Sequence, residues 1–209
     1  MFDEQNPRDQ EDMDSAPLQG SDEENPAEMA RKRENAGFRD ELFDWAQNIA
    51  IILTVVGLVF IFAFRIIGVE GESMVPTLHD QDWMVISKLF YEPKQGDIVV
   101  LTKKEFMEQP IVKRIIATEG QLVDINFETG EVTVDGQVLD EPYIAEKTHR
   151  QFDMQFPARV PENCVFVMGD NRNRSSDSRV SKLGMVNEQY ILGKLLIRIF
   201  PFNRFGTVD

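Results

Sequence analysis

The sequence predicts a mostly β protein: an antiparallel β domain with a small β cap, anchored by one N-terminal transmembrane helix. Three observations lead there. Residues 45–64 (WAQNIAIILTVVGLVFIFAF) form a 20-residue run without a charge. Downstream lie seven short segments rich in β-branched residues, separated by turn-forming residues. One of those turns, Asp135-Gly136 between EVTV and QVL, is a two-residue hairpin signal.

Length and composition set the outer bounds. A chain of 209 residues builds one or at most two compact domains. Its net charge of −14 is uneven: residues 1–44 carry 14 acidic and 5 basic side chains, a net of −9, and the remainder carries 22 and 17, a net of −5. The acid excess is thus largely a property of the N-terminal segment. It argues against a nucleic-acid partner, for which a basic face is expected. Cys164 is the single cysteine, so no intrachain disulfide forms and the domain relies on its own core. Two histidines and one cysteine argue against a structural zinc site.

Residues 1–30 are acidic, with Pro and Gly and almost nothing apolar, so they bury too little surface to offset their ordering entropy. With a helical lead-in at 31–44 (RKRENAGFRDELFD), residues 1–44 read as an acidic, largely disordered tail. Residues 45–67 read as the transmembrane helix. At a rise of about 1.5 Å per residue, the uncharged run crosses a hydrocarbon core of about 30 Å. Trp45 opens it at an interfacial position and Arg65 closes it. A helix apolar all round is not the pattern of one lying on a globular surface. The run also starts too late, is too long and lacks a small-x-small exit for a cleavable signal. Arg31, Lys32, Arg33 and Arg39 precede it, whereas after Arg65 the next base is Lys88. The positive side stays inside, so the tail is expected in the cytoplasm and residues 68–209 outside, on a single-pass protein of the cell membrane.

The strand segments follow in order: WMVIS (83–87), DIVVLT (97–102), IVKRIIA (111–117), LVDINF (122–127), EVTV (131–134), QVL (137–139) and CVFVM (164–168). Gln95-Gly96, Glu119-Gly120 and Thr129-Gly130 supply further turns. Residues 121–165 contain the hairpin and read as a small cap inserted in the outer β domain. The exposed aromatics expected near the bilayer are Trp83, Phe90 and Tyr91.

Residues 71–78, GESMVPTL, place Ser73 just beyond the span on a proline-stiffened segment. A serine nucleophile needs a base. His79 and His149 are one option, although triad members usually come from different elements. Lys113 is the other and better option: strand alternation sets it between Ile111 and Ile115, where desolvation lowers an amine's pKa. Arg114 cannot serve, because a guanidinium does not deprotonate. A lysine on an edge strand would instead run its stem over the surface, and the residues alone leave that open. The third element, MGDNRNRSSDSR (168–179), packs hydroxyls, carboxylates and arginines behind an apolar strand, as a loop that orients a lysine and braces itself would.

GESMVPTL, GDIVV (96–100), VKRIIATEG (112–120) and MGDNRNRSSDSR, in that order behind one N-terminal span, closely resemble the type I signal peptidases, the Ser/Lys leader peptidases, in their compact Gram-positive form. GKLLIRIFPFNRFG (193–206) fits as well, so the resemblance covers roughly residues 40–206. It implies Ser73 as nucleophile, Lys113 as general base, and Ser175 as the serine that hydrogen-bonds the lysine amine. Asp177, Arg179, Arg114 and Asp170 match the charged group that braces the loop, with Arg114 expected to hold both aspartates. Val69 and Val112 match residues lining the shallow pockets that admit small side chains. The implied substrates are secreted preproteins at the membrane, and no cofactor or metal is implied. Gly71 departs from relatives that carry an oxyanion-donating serine there. The hole is then expected to depend on the Ser73 N–H and a further donor or water. Two alternatives stand beside this reading: a membrane-tethered self-cleaving Ser/Lys protease, and a non-enzymatic adhesion or signalling domain. The acidic tail is left as a binding segment for an unknown cytoplasmic partner.

Overall fold

The computed structural model describes residues 26–208. The acidic segment 1–25 lies outside the described residues, as does the expectation that it is disordered. The described chain falls into two compact units that divide between Leu53 and Thr54. Helix α1 (Pro26–Ala63) carries the apolar run, and its 23-residue stretch Glu41–Ala63, with a mean hydropathy of 2.3 over its most apolar 18-residue window, is long and apolar enough to cross a membrane. The sequence reading carried the span to residue 67, but the helix ends at Ala63. There the chain turns β-branched (FRIIG), and the Ser87 hydroxyl donates to the Ala63 carbonyl at 2.8 Å, satisfying one of the acceptors a helix end leaves open.

The strands are β1 (Phe64–Gly68), β2 (Trp83–Ser87), β3 (Ile98–Leu101), β4 (Ile111–Ala117), β5 (Leu122–Asn126), β6 (Glu131–Val134), β7 (Gln137–Val138), β8 (Ala158–Arg159), β9 (Cys164–Met168), β10 (Val186–Asn187) and β11 (Ile191–Phe200). They form a seven-stranded sheet, ordered β1-β2-β11-β3-β4-β9-β10, and a four-stranded sheet, ordered β7-β6-β5-β8. All pairings given by the register are antiparallel. The mostly β, antiparallel fold with a small second sheet and one N-terminal apolar helix is therefore as the sequence predicts.

Local chemistry explains the joints. Val134 pairs with Gln137 across Asp135-Gly136, whose φ values of 53° and 80° are those of a tight primed turn. Strand β3 is buried on both faces, so it reads as an unbroken apolar run. Ile98 and Val100 pack with Val69, Met74 and Val112, while Val99 and Leu101 pack with Ile115 and Val167. The smaller sheet closes its own cluster, where Val123, Ile125 and Val132 meet Ile116, Phe166 and Met168. Strand β4 contributes to all three clusters, which places it where the two sheets meet.

The aromatic expectation divides. Phe90 is 96% exposed and Trp83 about half exposed. Tyr91 is not a surface anchor: its hydroxyl donates to Asp97 and its ring packs against the cluster that holds Val99.

Candidate active site

Ser73 sits in the turn-rich connection between β1 and β2. Both ends of that connection are tied by backbone bonds, Val69 N–H to Asp82 O at 2.8 Å and Gln81 N–H to Val69 O at 2.9 Å. Met74 and Leu78 are buried in the core, which pins the segment from below. Gly71, at φ 85°, takes a backbone conformation that disfavours side chains, and its N–H is bound to Asp80 Oδ1 at 2.9 Å. The Ser73 N–H meets no acceptor among the described residues.

Lys113 lies on β4, an interior strand between β3 and β9, and is 3% exposed. The alternative of a lysine lying over the surface from an edge strand is thereby removed. Its Nζ lies 2.8 Å from Ser73 Oγ and 2.8 Å from the Val112 carbonyl. Burial pushes the Lys113 amine down to about 8; Asp177 and Asp170 pull against that shift, and Arg179 adds to it. A cleft of about 650 Å³ opens onto the pair, lined among others by Val69, Met107, Pro110 and Val112. Val69 and Val112 are also members of the core cluster with Met74, so each has one face in the core and one on the cleft.

The loop after β9 surrounds this pair with buried charge. Arg114 grips Asp170 with two bonds, Nε to Oδ1 and Nη2 to Oδ2, both 2.9 Å. Asp177 takes its paired contact from Arg179 instead, Nε to Oδ1 and Nη2 to Oδ2, both 2.8 Å. The Nε–Nη2 fork of Arg114 is thus turned to Asp170, and that of Arg179 to Asp177, two residues before it. The Gly169 N–H also donates to Asp177 at 3.1 Å. All four charged residues are 3% exposed or less. Removing one partner of such a pair strands a buried charge, at about 3–5 kcal/mol.

Ser175 does not hydrogen-bond Lys113 here. Its hydroxyl is buried without a partner, packed against Gly169, while the lysine amine spends its second contact on the Val112 carbonyl. Glu72, for which the sequence suggested no role, pairs with Arg174 at 3.3 Å on the exposed rim, where an ion pair contributes little. Neither histidine reaches the serine: the His79 ring contacts Arg204, and the His149 ring contacts the Phe127 carbonyl.

Several contributors were not visible in the sequence. The Thr77 hydroxyl donates to Asp170 Oδ2 at 2.5 Å, and Arg198 donates to the Thr77 carbonyl at 3.0 Å. Arg172, fully buried, is matched by Glu141 of the cap through bonds of 2.9 and 2.5 Å and by the Thr148 hydroxyl. The density of arginines in 168–179 hinted at a need for counter-ions, but nothing marked Glu141 as one.

This arrangement can perform nucleophilic acyl transfer: a hydroxyl, a buried amine of depressed pKa touching it, and an unpaired backbone N–H on the same residue. Residues 42–200 match the family described as Signal peptidase, peptidase S26. The chain is 38% identical over 176 residues to a probable signal peptidase I-1 of Synechocystis, covering 78% of this chain and 86% of that one. It is 34% identical over 189 residues to signal peptidase I S of Bacillus subtilis, covering 85% of this chain and all of that one. A solved signal peptidase I of Enterococcus faecalis is 28% identical, with a TM-score of 0.41, over 50% of this chain and 97% of that one.

Proposed function

Since the chain belongs to the signal peptidase family, peptidase S26, we propose that it removes N-terminal signal peptides from secreted preproteins by a Ser/Lys dyad. The observation that carries this reading is the 2.8 Å contact between Lys113 Nζ and Ser73 Oγ in a setting that depresses the lysine pKa. With a pKa of about 8, about a tenth of the enzyme holds a neutral amine at pH 7. The neutral amine takes the Ser73 proton as Oγ attacks the scissile carbonyl. The developing oxyanion is met by the Ser73 N–H and a second donor or water. Lys113 returns the proton to the leaving amine, and the signal peptide remains as an ester on Ser73. Water, deprotonated by the same amine, then releases it as a carboxylic acid. Ser175 keeps a free hydroxyl to orient that amine when Ser73 is acylated.

Topology follows from charge. The four bases before the apolar run put the N-terminus in the cytoplasm and the catalytic domain outside, on a single-pass anchor in the cell membrane. The branched side chains of Val69 and Val112 on the cleft wall favour small residues before the cut. The test is cleavage of a purified preprotein by wild type, Ser73→Ala and Lys113→Ala. Both variants are expected to lose activity by about a thousandfold or more while staying folded. An active, folded Lys113→Ala enzyme would refute the dyad.

A further inference from the structure

The segment that leaves the small sheet, Asp140–Arg150, does not simply run over the surface. It straps onto the charged surround of Lys113. Glu141 neutralises buried Arg172, and the Ala145 N–H donates to the Asp170 carbonyl at 3.2 Å. The Tyr143 carbonyl lies 3.5 Å from Thr77 Oγ1, and the Tyr143 hydroxyl donates to Glu141 at 3.2 Å. Between these ties the Tyr143 ring lies flat against a cation: the Arg114 guanidinium carbon is 3.9 Å from the ring centroid, and that of Arg172 is 6.0 Å away.

We propose that Tyr143 is a positioning residue for the Lys113 base: its ring covers the Arg114 guanidinium and keeps the Arg114–Asp170 pair closed and free of water beside the dyad. Arg114 is the chain neighbour of Lys113, and its planar fork is held on one side by Asp170 and over its face by Tyr143. The charged groups that bear on the lysine amine are Asp177, Asp170 and Arg179, with Arg114 setting how much of the Asp170 charge is neutralised. Removing the ring changes this in one direction. Water reaches the pair and relieves the desolvation of Lys113, and a loosened Arg114 leaves Asp170 less neutralised. Both effects favour the ammonium form. The cap therefore contributes to the chemistry of a residue it does not touch.

This inference rests on the Ser/Lys reading, and its test is chosen to separate the two. The probe is the full-length enzyme in detergent micelles with 13C-labelled lysine side chains. The Lys113 signal is assigned by its loss in Lys113→Met and titrated alongside the pH profile of kcat/KM. Tyr143→Leu is expected to move the Lys113 midpoint up by about half to one pH unit, with the kcat/KM limb following it and the high-pH plateau within about twofold of wild type. Tyr143→Phe, which keeps the ring and loses the hydroxyl, is expected to keep the wild-type midpoint. A folded Tyr143→Leu enzyme with an unmoved midpoint, or a rate lowered equally at every pH, overturns the proposal. So does a Tyr143→Phe midpoint displaced as far as that of Leu, since the hydroxyl rather than the ring would then act. If Tyr143→Leu does not fold, Tyr143→Met takes its place in the same titration. Because the resonance reports the amine and not cleavage, a displaced midpoint in an enzyme whose Lys113→Arg form still cleaves upholds the role of Tyr143 and refutes the dyad.

Discussion

The backbone N–H of Asn171 donates to the carbonyl of Ser73 at 3.0 Å, and its side-chain amide donates to the preceding carbonyl, Glu72 O, also at 3.0 Å. One residue of the charged loop thus holds both peptide units that flank the Ser73 α-carbon. Asn171→Ala keeps the first bond and loses the second, a loss of about 0.5–1.5 kcal/mol. We expect kcat/KM for a preprotein to fall about two- to tenfold, with little change in melting temperature. A rate equal to wild type would show that the main-chain bond alone holds the serine.

Two neighbouring bases are expected to respond oppositely to conservative exchange. Lys113→Arg preserves charge but cannot give up a proton, so cleavage should nearly vanish in a protein with unchanged circular dichroism. Arg114→Lys keeps the charge and loses the fork that grips both oxygens of Asp170, so activity should fall only partly. If Lys113→Arg cleaves normally, the amine is not the base.

The burial of Lys113 gives two pH signatures. The kcat/KM profile should rise with pH and reach half its plateau near 8, where the amine ionises in the fold. Stability should respond in the same window from the other side. Between about pH 8 and 10.5 the unfolded chain holds a proton that the folded lysine has released. Unfolding therefore becomes harder as pH rises through that range, while below 8 the penalty is fully present, on the order of 3 kcal/mol. Denaturant titrations of wild type and Lys113→Met should show the Met variant's relative advantage shrinking from pH 8 to 10.5. A gap that stays constant would mean that Lys113 titrates as it does in the unfolded chain.

Gly169 has no room for a side chain: a Cβ there would run into the Ser175 hydroxyl and the Ser73 carbonyl. Neither neighbour is a flexible side-chain end, because one is a short buried side chain and the other is main chain. Gly169→Ala should push Ser73 away from Lys113 and cost activity by two orders of magnitude or more, with a loss of stability of about 1–3 kcal/mol. Gly71→Ala meets no such neighbour and is opposed only by its positive φ, so it should be the milder variant in the same cleavage assay.

The double variant His79→Ala, His149→Ala should keep its cleavage rate within a few-fold, because neither ring contacts Ser73. A folded double variant slowed about a thousandfold would revive a histidine base.

The strands legible in the sequence are those whose pattern is local. All seven expected segments contain strands, because each is a short run of β-branched residues set off by turn-forming neighbours. The four not anticipated are β1, β8, β10 and β11. β8 and β10 have two residues each, and β1 continues an apolar run. β11 is the longest strand, yet register shifts at Leu195/Ile197 and Arg198/Phe200 break its alternation, and the sequence ILGKLLIRIF shows no period of two. The candidate site divides in the same way. Ser73 and Lys113 stood out because a hydroxyl on a stiff turn and a base amid isoleucines are unusual locally. Glu141, Thr77 and Tyr143 did not, because their partners lie 31, 93 and 29 positions away and only the folded chain brings them together. Ser175 shows the converse: the motif gave it a partner that the geometry gives to Val112.

The order β1-β2-β11-β3-β4-β9-β10 puts the last strand of the chain in the middle of the larger sheet. Ser73 hangs between β1 and β2 on one side of β11, and Lys113 lies on β4 on the other. Residues 191–200 are therefore the splice of the larger sheet: without them the strands flanking Ser73 and the strand bearing Lys113 belong to two separate ladders.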